Sequence, residues 1–410
     1  MENHPRVVLA TPAWSLNGPN IFSANLARGL NALQMAAHIV VTRPDWVDVK
    51  PLGPPPDVRV ETLPVRPFMR AGARWNAMIR YLEEQAPCIY VPNYDFGHSC
   101  ISPRLSGRVG IVGIAHSDDP QHYDHVARLG RYWNAVVAVS TAIAEEILRI
   151  SPEVGPRLRV IPYGVPVADR FPERTAAAAG LPLRVIYAGR LDQKQKRVLD
   201  LPEILKATLE FGVPVQLTIA GGGSEEAQLR AKCVALGVEG HVRFLGTLDS
   251  EALAGVLAGQ DVFVLASEFE GLPLGVLEAM GQGCIPVVTD VRSGVREAIR
   301  DASNGFLVAR GDIAGFGRRL ADLYQDPEMR GRMAKAAYNQ IRSGCYRLDS
   351  MVQSYADLFE SVFRGMRDGS FRRPAGNIQR PPGMPWPEYL PESIQRAGNY
   401  GRRLLTKARV

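Results

Sequence analysis

The sequence of 410 residues has no long apolar run and few cysteines. No stretch of about 18 apolar residues occurs, so no segment has the composition of a helix that spans a bilayer. The five cysteines are scattered, and they match neither a zinc-binding pattern nor a disulfide framework. The first residues also lack the charged and apolar regions of a signal peptide. We therefore expect a protein of a reducing cytoplasm.

The sequence has little net charge outside its C-terminal tail. The whole chain carries +6. Residues 364–410 contain ten Lys or Arg and three Asp or Glu, a local excess of +7, so the remainder is close to neutral. A basic excess that is confined to a tail indicates an anionic partner for the tail and says little about the rest of the protein. We expect no nucleic-acid partner.

Short β-branched runs that alternate with helical patterns are abundant along the chain. Apolar runs without polar alternation are typical of strands buried on both faces of a parallel sheet. Their alternation with helices predicts an α/β fold. The runs are 6–10, 38–42, 88–91, 109–115 and 135–140 in the first half, and 184–189, 215–221, 242–246, 261–266, 285–290 and a short run at 306–308 after the turn Asn304-Gly305 in the second.

The strand–helix series falls into two halves, separated by a segment rich in proline and glycine at 160–180. We predict two doubly wound, Rossmann-like domains that face a central cleft, with ligands bound at the carboxyl ends of the strands. The predicted units are an N-terminal domain at 1–165, a C-terminal domain at 166–346, a helix at about 347–366 that packs back on the first domain, and a basic, extended, surface-lying tail rich in Pro, Gly and Arg at 367–410.

Two glutamates flank the start of a predicted helix after the strand at 261–266. Pro273 suits the first turn of a helix, whose free amides and positive dipole form an anion site. Glu270 stands just before this helix and Glu278 lies more than one turn inside it. Because a carboxylate accepts hydrogen bonds from hydroxyls, the pair indicates a ligand with a diphosphate between two sugars, a nucleotide sugar. Spacing alone favours a simpler interpretation, in which Glu270 is a turn residue and Glu278 is a solvated helix residue.

The segment EGLPLGVLEAM (270–280) resembles the Glu-x7-Glu signature of the retaining GT-B glycosyltransferases. This large family includes glycogen and sucrose synthases and many bacterial mannosyl- and glucosyltransferases. Further similarity lies in YAGRLDQKQKR (187–197), in the linker at 160–171 and in 243–267. The order of these motifs over about residues 5 to 345 is more specific than any one of them.

The resemblance assigns roles to the residues of this motif. It implies that Glu270 binds hydroxyls of the donor sugar and that Glu278 binds the ribose. It further implies that the backbone amides of one short run hold the diphosphate. That run consists of Gly271, Leu272, Pro273, Leu274 and Gly275.

Two basic residues follow the strand at 184–189. Negative charge grows on a leaving diphosphate, and positioned cations stabilise it. The family's Arg-x5-Lys spacing implies this role for Arg190 and Lys196, with Lys194 as the nearest competitor. The alternative is an ordinary solvated basic loop.

The loop after the first strand contains Gly18, where the family often has two adjacent glycines that approach the donor phosphate and the acceptor. Here Asn17 and Pro19 flank the single glycine. Pro19 has no amide hydrogen to donate, so a direct phosphate contact from this loop is weakened, and Gly18 remains the candidate.

The loop at 113–125 follows the fourth strand and contains three histidines and three aspartates. His and Asp at close spacing can bind zinc or manganese, which is one hypothesis. The other follows from the resemblance: His116 occupies the position of the histidine that contacts the transferred sugar. We favour the second and expect that no metal is required.

The segment at 66–84 mixes arginines with large apolar residues. Such a basic amphipathic helix can lie on an anionic membrane surface, a contact that the basic tail would strengthen. The alternative is an ordinary docking helix whose arginines face water. Because the family binds its acceptor in the first domain, we expect a glycan or lipid-linked acceptor, and a protein either free in the cytoplasm or peripheral at the inner face of the membrane.

The resemblance implies a retaining, metal-independent hexosyltransferase of polysaccharide biosynthesis. It would use a UDP- or GDP-sugar as co-substrate and no other cofactor. In a front-face displacement, the leaving diphosphate helps to deprotonate the incoming hydroxyl, while the protein supplies orientation and electrostatics. The alternatives are a non-catalytic subunit that binds a nucleotide sugar or glycan, and a GT-B epimerase or phosphorylase.

Overall fold

The computed structural model describes residues 4–15, 17–43, 56–65, 71–93, 96–172 and 181–379. In these ranges the chain forms two parallel β-sheets, each covered by helices. The strands are β1 (Arg6–Thr11), β2 (Ala37–Val41), β3 (Val60–Thr62), β4 (Cys88–Val91), β5 (Val109–Ala115), β6 (Ala135–Ala138), β7 (Leu158–Val160), β8 (Leu183–Ala188), β9 (Val215–Ala220), β10 (Val242–Gly246), β11 (Val262–Leu265), β12 (Ile285–Thr289) and β13 (Phe306–Val308).

The helices connect successive strands and cover both faces of the sheets. They are α1 (Gly18–Ala32), α2 (Ala71–Gln85), α3 (Phe96–Ser99), α4 (Pro120–Leu129), α5 (Thr141–Ile150), α6 (Gln193–Lys196), α7 (Leu201–Glu210), α8 (Glu226–Ala235), α9 (Ser250–Ala258), α10 (Leu274–Gly281), α11 (Val295–Ala298), α12 (Ile313–Gln325), α13 (Pro327–Arg342) and α14 (Leu348–Asp368).

The first sheet has the strand order β3-β2-β1-β4-β5-β6-β7 and the second has β10-β9-β8-β11-β12-β13. All of the pairings in both sheets are parallel. In each sheet the strand order reverses beside the first strand, and this switch point is where open α/β sheets bind ligands. The predicted α/β fold with two Rossmann-like domains is confirmed.

Strands β3 and β7 are not predicted by the sequence pattern, because each is three residues long and partly exposed. Both lie at the edges of the first sheet, where little burial is needed. The central strands β1, β4 and β5 are almost wholly buried, which is why their β-branched runs were recognisable.

Helix α14 leaves the second domain and lies across the first. A Cβ on Gly29 of α1 would lie 2.3 Å from Val352 of α14, and one on Gly110 of β5 would lie 2.6 Å from Met366. These glycines therefore permit close packing of α14 on the first sheet and on α1. The extended segment 369–379 continues over the same domain, and the predicted tail beyond it lies outside the described residues.

Arg373 fixes this extended segment to the first domain. Its guanidinium donates to the carbonyl oxygens of Leu105 at 2.5 Å, Val109 at 2.6 Å and Tyr132 at 3.1 Å. Burial lowers the pKa of Arg373 to about 10. One side chain thus ties two loops of the first domain, at 105–109 and around Tyr132, to the C-terminal segment.

Helix α2 contains most of the predicted basic amphipathic segment, and residues 66–70 lie outside the described ranges. Its apolar side chains pack inward: Met78 is buried, and Trp75 and Ile79 are partly buried against the core. This arrangement agrees with the docking-helix alternative, and membrane contact stays a prediction. No helix among the described residues combines the length and the apolar character needed to cross a bilayer.

Candidate functional site

The carboxyl ends of the two sheets meet at a seam between β5 and α10. Ser117 and Gly271 form an antiparallel bridge, and the amide of Asp118 donates to the carbonyl of Glu270 at 3.3 Å. A Cβ on Gly271 would lie 2.1 Å from the carbonyl oxygen of His116. Only glycine allows the two backbones to approach this closely.

The loop after β1 reaches the same seam. Gly18 is the first residue of α1, and a Cβ there would lie 3.7 Å from the side chain of Leu274. Asn17 caps α1 by accepting from the amide of Asn20 at 2.9 Å. Gly18 is therefore brought to the start of α10, as its predicted role requires.

Helix α10 begins at the seam without a side-chain cap. Its N-cap is Pro273, which makes no capping hydrogen bond. Among the hydrogen bonds of the described residues, the amides of Leu274 and Gly275 have no acceptor. A Cβ on Gly275 would lie 3.2 Å from the carbonyl oxygen of Ala188, so the helix start lies against the end of β8. Free amides and a positive helix end suit an anion such as a phosphate.

Glu270 is the central carboxylate of the site and is 4% exposed. Its Oε1 accepts from Lys196 Nζ at 2.6 Å and from Ser267 Oγ at 2.6 Å. Both donors use the same oxygen, and no donor to Oε2 is found among the described residues. The second oxygen thus keeps its capacity to accept hydrogen bonds from a ligand hydroxyl.

Local sequence explains where Lys196 lies. The short helix α6 begins with Asp192, which accepts from the amide of Gln195 at 2.8 Å, and ends at Arg197 in a left-handed conformation with φ 50°. Arg197 forms ion pairs with Asp200 at 2.8 Å and with Glu268 at 3.1 Å. These pairs hold α6 against the loop that carries Glu270.

Arg190 lies at the exposed rim of the same loop. Its guanidinium donates to Gln195 Oε1 at 2.7 Å, and Gln195 in turn donates to the carbonyl of Phe269 at 3.4 Å. Arg190 forms no ion pair in the part of the chain that the structure describes. Its side chain is therefore near Glu270 without being neutralised by a carboxylate.

The glycines at 221–223 follow β9 and pack on the loop that begins at Gly189. A Cβ on Gly221 would lie 1.9 Å from the carbonyl oxygen of Gly189, and one on Gly223 would lie 2.3 Å from that of Leu191. Gly221 has φ 145°. These glycines are explained by close backbone packing, which positions the Arg190 loop.

Glu278 lies one turn into α10, on the same helix face as Leu274. It is half-buried, and no hydrogen-bond or ion-pair partner for its carboxylate occurs within the described ranges. Desolvation raises the pKa of Glu278 to about 7. A partly desolvated carboxylate without a protein partner is well suited to accept hydrogen bonds from ligand hydroxyls.

His116 is buried and held by two neighbours. Its Nε2 lies 2.9 Å from Asn93 Oδ1, and its Nδ1 lies 2.5 Å from Tyr163 Oη. Asn93 is itself oriented by donating to Ser23 Oγ at 2.8 Å. Burial first, and then the neighbouring histidines, lower the pKa of His116 well below its usual range, so the ring is neutral. Contact with a sugar would require one of these hydrogen bonds to be exchanged, and that role stays a prediction.

The same loop gives little support to the metal hypothesis. The described residues contain no cluster of three or more His, Cys, Asp or Glu side chains placed to hold a metal ion. Asp119 caps α4 by accepting from Gln121 at 2.8 Å, and Asp118 accepts from Tyr123. Burial lowers the pKa of His122 to about 4. These residues serve the loop itself, and metal independence stays a prediction.

The structure therefore brings together most of the predicted residues. Lys196 contacts Glu270 directly, His116 contacts Gly271 through its backbone, and Gly18 approaches Leu274, whereas Glu278 stands apart. Sequence reasoning missed the partners that hold these groups, namely Asn93, Tyr163, Ser267 and Glu268. Of these partners, only Ser267 could have been found from the local sequence, because it lies three residues before Glu270 in the same turn.

Comparison with known proteins relates the second half of the chain to a known family. The family model described as Glycosyl transferases group 1 matches residues 174–340. A lipopolysaccharide core biosynthesis glycosyltransferase, LpsE of Rhizobium meliloti, is 34% identical over 147 residues, which is 36% of this chain and 42% of that protein. The phosphatidyl-myo-inositol mannosyltransferase of Mycobacterium leprae is 34% identical over 160 residues, 38% of this chain and 41% of that protein. The chain thus spans about two fifths of the length of these relatives.

A solved structure covers more of the molecule. HepE of Anabaena, in complex with UDP and glucose, has a TM-score of 0.71 and 16% sequence identity, and the match covers 87% of this chain and all of that one. At this identity the likeness establishes the fold, which is GT-B. The resemblance inferred from the sequence motifs is confirmed.

Proposed function

From the match of residues 174–340 to the group 1 glycosyltransferases and from the GT-B fold, we propose that the protein transfers a hexosyl unit from a nucleotide sugar to an acceptor hydroxyl. The observation that carries the proposal is the juxtaposition of the open N-terminus of α10 with the Lys196–Glu270 pair. An anion site beside a hydroxyl-binding carboxylate is the chemistry that a sugar diphosphate requires.

The diphosphate binds at the amides of Leu274 and Gly275. Arg190 at the rim and Lys196 within the cleft supply positive charge as the leaving group becomes more negative. A positioned cation acts only where charge develops, so its removal lowers kcat by about 10²–10³-fold, as for other electrostatic stabilisers. Lys196 exchanges its contact with Glu270 for the phosphate during the reaction.

Glu270 binds hydroxyls of the transferred sugar through Oε2, the oxygen that its protein donors leave open. Glu278, one turn further along α10, binds the ribose. The two carboxylates then lie on either side of the phosphate-binding helix start, and they fix the position of the donor along the cleft. Orientation of the sugar toward an acceptor contributes to rate by bringing reacting atoms together.

The reaction retains the anomeric configuration through a front-face displacement and needs no metal. The Oε1 of Glu270 is held by Lys196 and Ser267, and its Oε2 is assigned to the sugar hydroxyls, so we propose a role in hydroxyl binding rather than as a covalent nucleophile. In the displacement, the acceptor hydroxyl loses its proton to the departing diphosphate as the glycosidic bond forms. Proton NMR of the product's anomeric signal, in buffer with and without a chelator, tests both statements.

The acceptor is a glycan or a lipid-linked saccharide bound by the first domain. Support comes from relatives whose names include lipopolysaccharide core biosynthesis and a phosphatidyl-inositol substrate. The UDP in the HepE structure supports UDP as the nucleotide, with GDP as the second choice. The protein acts in the cytoplasm or at the inner face of the membrane.

The direct test is release of nucleoside diphosphate from a panel of UDP- and GDP-sugars in the presence of membrane and polysaccharide extracts. We expect turnover with one nucleotide class, and a loss of about 10²-fold or more for Lys196→Ala. Lys194→Ala is the matched control, because Lys194 is exposed and two residues away. It is expected to behave as the unaltered protein.

Other outcomes distinguish the competing functions. Thermal stabilisation by a nucleotide sugar without turnover would identify a non-catalytic binding subunit. A changed sugar without transfer would identify an epimerase, and turnover that depends on free phosphate would identify a phosphorylase. If no nucleotide sugar stabilises the protein or reacts, the proposal fails.

A further inference from the structure

The two domains touch at a second place, away from the donor carboxylates. Glu297 of α11, in the second domain, reaches the N-terminus of α5 in the first. Its Oε1 accepts from the amides of Thr141 at 2.7 Å and Ala142 at 3.3 Å, and its Oε2 accepts from Thr141 Oγ1 at 3.1 Å. A carboxylate at the positive end of a helix is a favourable arrangement, so this contact draws the domains together.

Helix α5 does not depend on Glu297 for its own capping. Ser140, from the same domain, accepts from the amide of Ile143 at 3.3 Å as the N-cap. Glu297 instead satisfies the two preceding amides, which a single N-cap side chain leaves free. The contact therefore serves the relation between the domains rather than the formation of the helix.

An ion pair also crosses the same interface. Arg292 donates to Glu146 at 3.3 Å and to the carbonyl of Ala142 at 3.3 Å. Glu146 also pairs with Arg149 on its own helix, and that hydrogen bond, followed by the one from Arg292, lowers the pKa of Glu146. Both ends of the segment 292–297 thus hold the first turns of α5.

The segment 292–297 is also connected directly to the donor site. The amide of Gly294 donates to the carbonyl of Gly271 at 2.7 Å. A Cβ on Gly294 would lie 2.9 Å from Leu272, so the two loops are packed without space between them. Gly271 is the residue that bridges to Ser117 of the first domain. A continuous set of contacts therefore runs from α5 through Gly294 to the start of α10.

We infer that residues 292–297 form a latch that holds the cleft closed and sets the donor site. Glu297 and Arg292 are positioning residues: they bind α5 in the closed state and, through Gly294, fix Gly271 and the free amides of α10 against the first domain. Loss of the latch shifts the population toward an open cleft, in which the two halves of the site are no longer juxtaposed. The kinetic part of this inference rests on the proposed transfer function; the conformational part does not.

The test compares Glu297→Ala, Glu297→Gln and Arg292→Ala with two matched controls in the full-length chain. Glu145→Ala alters an exposed glutamate of α5, and Arg318→Ala alters an exposed arginine of α12, in the second domain and outside the segment 292–297. Small-angle X-ray scattering gives the radius of gyration of each variant without ligand. Calorimetry with UDP or GDP and steady-state kinetics with the active donor give Kd, kcat and KM.

We expect both alanine variants of the latch to have a larger radius of gyration than the controls. Their kcat should fall by about tenfold or more, because the competent closed state is less populated. Nucleoside diphosphate binds mainly to the second domain, so its Kd should change by less than about threefold. Glu297→Gln keeps one acceptor oxygen and should lie between Glu297→Ala and the unaltered protein. Melting temperatures equal to those of the controls exclude a general folding defect.

An unchanged radius of gyration, or an unchanged kcat, in both alanine variants would overturn the inference. So would a loss of nucleotide affinity as large as the loss of kcat, because the segment would then act on the second domain alone. If the unaltered protein transfers no sugar, the proposed function fails, and scattering alone decides whether the latch exists. The graded Glu297→Gln variant keeps the test decisive should Glu297→Ala fold poorly.

Discussion

Lys196 Nζ lies 2.6 Å from Glu270 Oε1, and the two side chains are 17% and 5% exposed. The pair joins the loop after β8 to the loop after β11, where the donor is proposed to bind. Removal of one member of a buried ion pair leaves the other charge unsatisfied, which is costlier than the loss of both.

The first prediction is therefore that substitutions of Lys196 and Glu270 have non-additive effects on stability. Lys196→Met should lower the free energy of unfolding by about 3 kcal/mol, whereas Lys196→Met combined with Glu270→Gln should recover part of that loss. Urea denaturation of the two single variants and the double variant measures the coupling. Lys194→Met, at an exposed position, should change stability by less than about 0.5 kcal/mol. Strict additivity of the two substitutions would show that the pair does not form in solution.

The second prediction concerns pH and Glu278. Its folded-state pKa is raised to about 7 from 4.5, so the folded protein holds more protons than the unfolded chain between these values. The favourable contribution of Glu278 to the free energy of unfolding is therefore complete below pH 4.5, and it is lost as the pH rises toward 7. Glu278→Gln cannot ionise, and its stability relative to the unaltered protein should increase from pH 5 to pH 8.

The same carboxyl should release a proton when nucleotide binds near pH 7, because ribose hydroxyls favour the charged form. Calorimetric titration in buffers with different ionisation enthalpies detects this release, and Glu278→Gln is the control that abolishes it. Equal stability differences at pH 5 and pH 8, together with no proton release, would mean that Glu278 is ionised and solvated in the folded protein.

The third prediction concerns the seam. Gly271→Ala places a Cβ 2.1 Å from the backbone oxygen of His116, which cannot move without shifting the whole loop. The domains must separate there, and kcat/KM should fall by about 10²-fold, as expected for a displacement near 1 Å in an active site. Gly281→Ala, at the end of the same helix, meets its nearest atom at 3.5 Å and should be close to neutral. Equal activity of the two variants would contradict the close approach.

The fourth prediction concerns the C-terminal segment. Arg373 donates to carbonyl oxygens of two loops, among them those of Leu105 and Tyr132. Arg373→Ala leaves buried carbonyls unsatisfied and should destabilise the protein by about 2–3 kcal/mol. Arg373→Lys should recover only part of this stability, because the lysine ammonium lacks the several coplanar N–H donors of a guanidinium. Arg372→Ala, its exposed neighbour, is the control in urea denaturation, and a matching effect there would refute the anchoring role.

The fold was predictable because the central strands are buried on both faces and their sequences show it. The runs that became the buried strands β4 and β5 were predicted with the bounds observed. The short edge strands β3 and β7 carry no such signal, since partial exposure permits polar residues.

The candidate residues were predictable from the resemblance of their motifs to those of a known family, but their contacts were not. Lys196 and Glu270 are 74 positions apart, and Tyr163 lies 47 positions from the histidine that it holds. Glu297 is 156 positions from Thr141, and its own sequence context resembles an ordinary helix start. The first two contacts depend on which loops meet at the edge of one sheet, and the third depends on how the two domains face one another; local pattern encodes neither.

The central claim is that the start of α10 and Lys196 bind a diphosphate. A crystal structure of the protein with UDP, or with GDP if calorimetry favours it, tests this claim most directly. We expect phosphate oxygens within hydrogen-bonding distance, about 2.7–3.1 Å, of the amides of Leu274 and Gly275 and of Lys196 Nζ, with the ribose at Glu278. A nucleotide bound elsewhere, with the Lys196–Glu270 pair intact and the helix start unoccupied, would contradict the account.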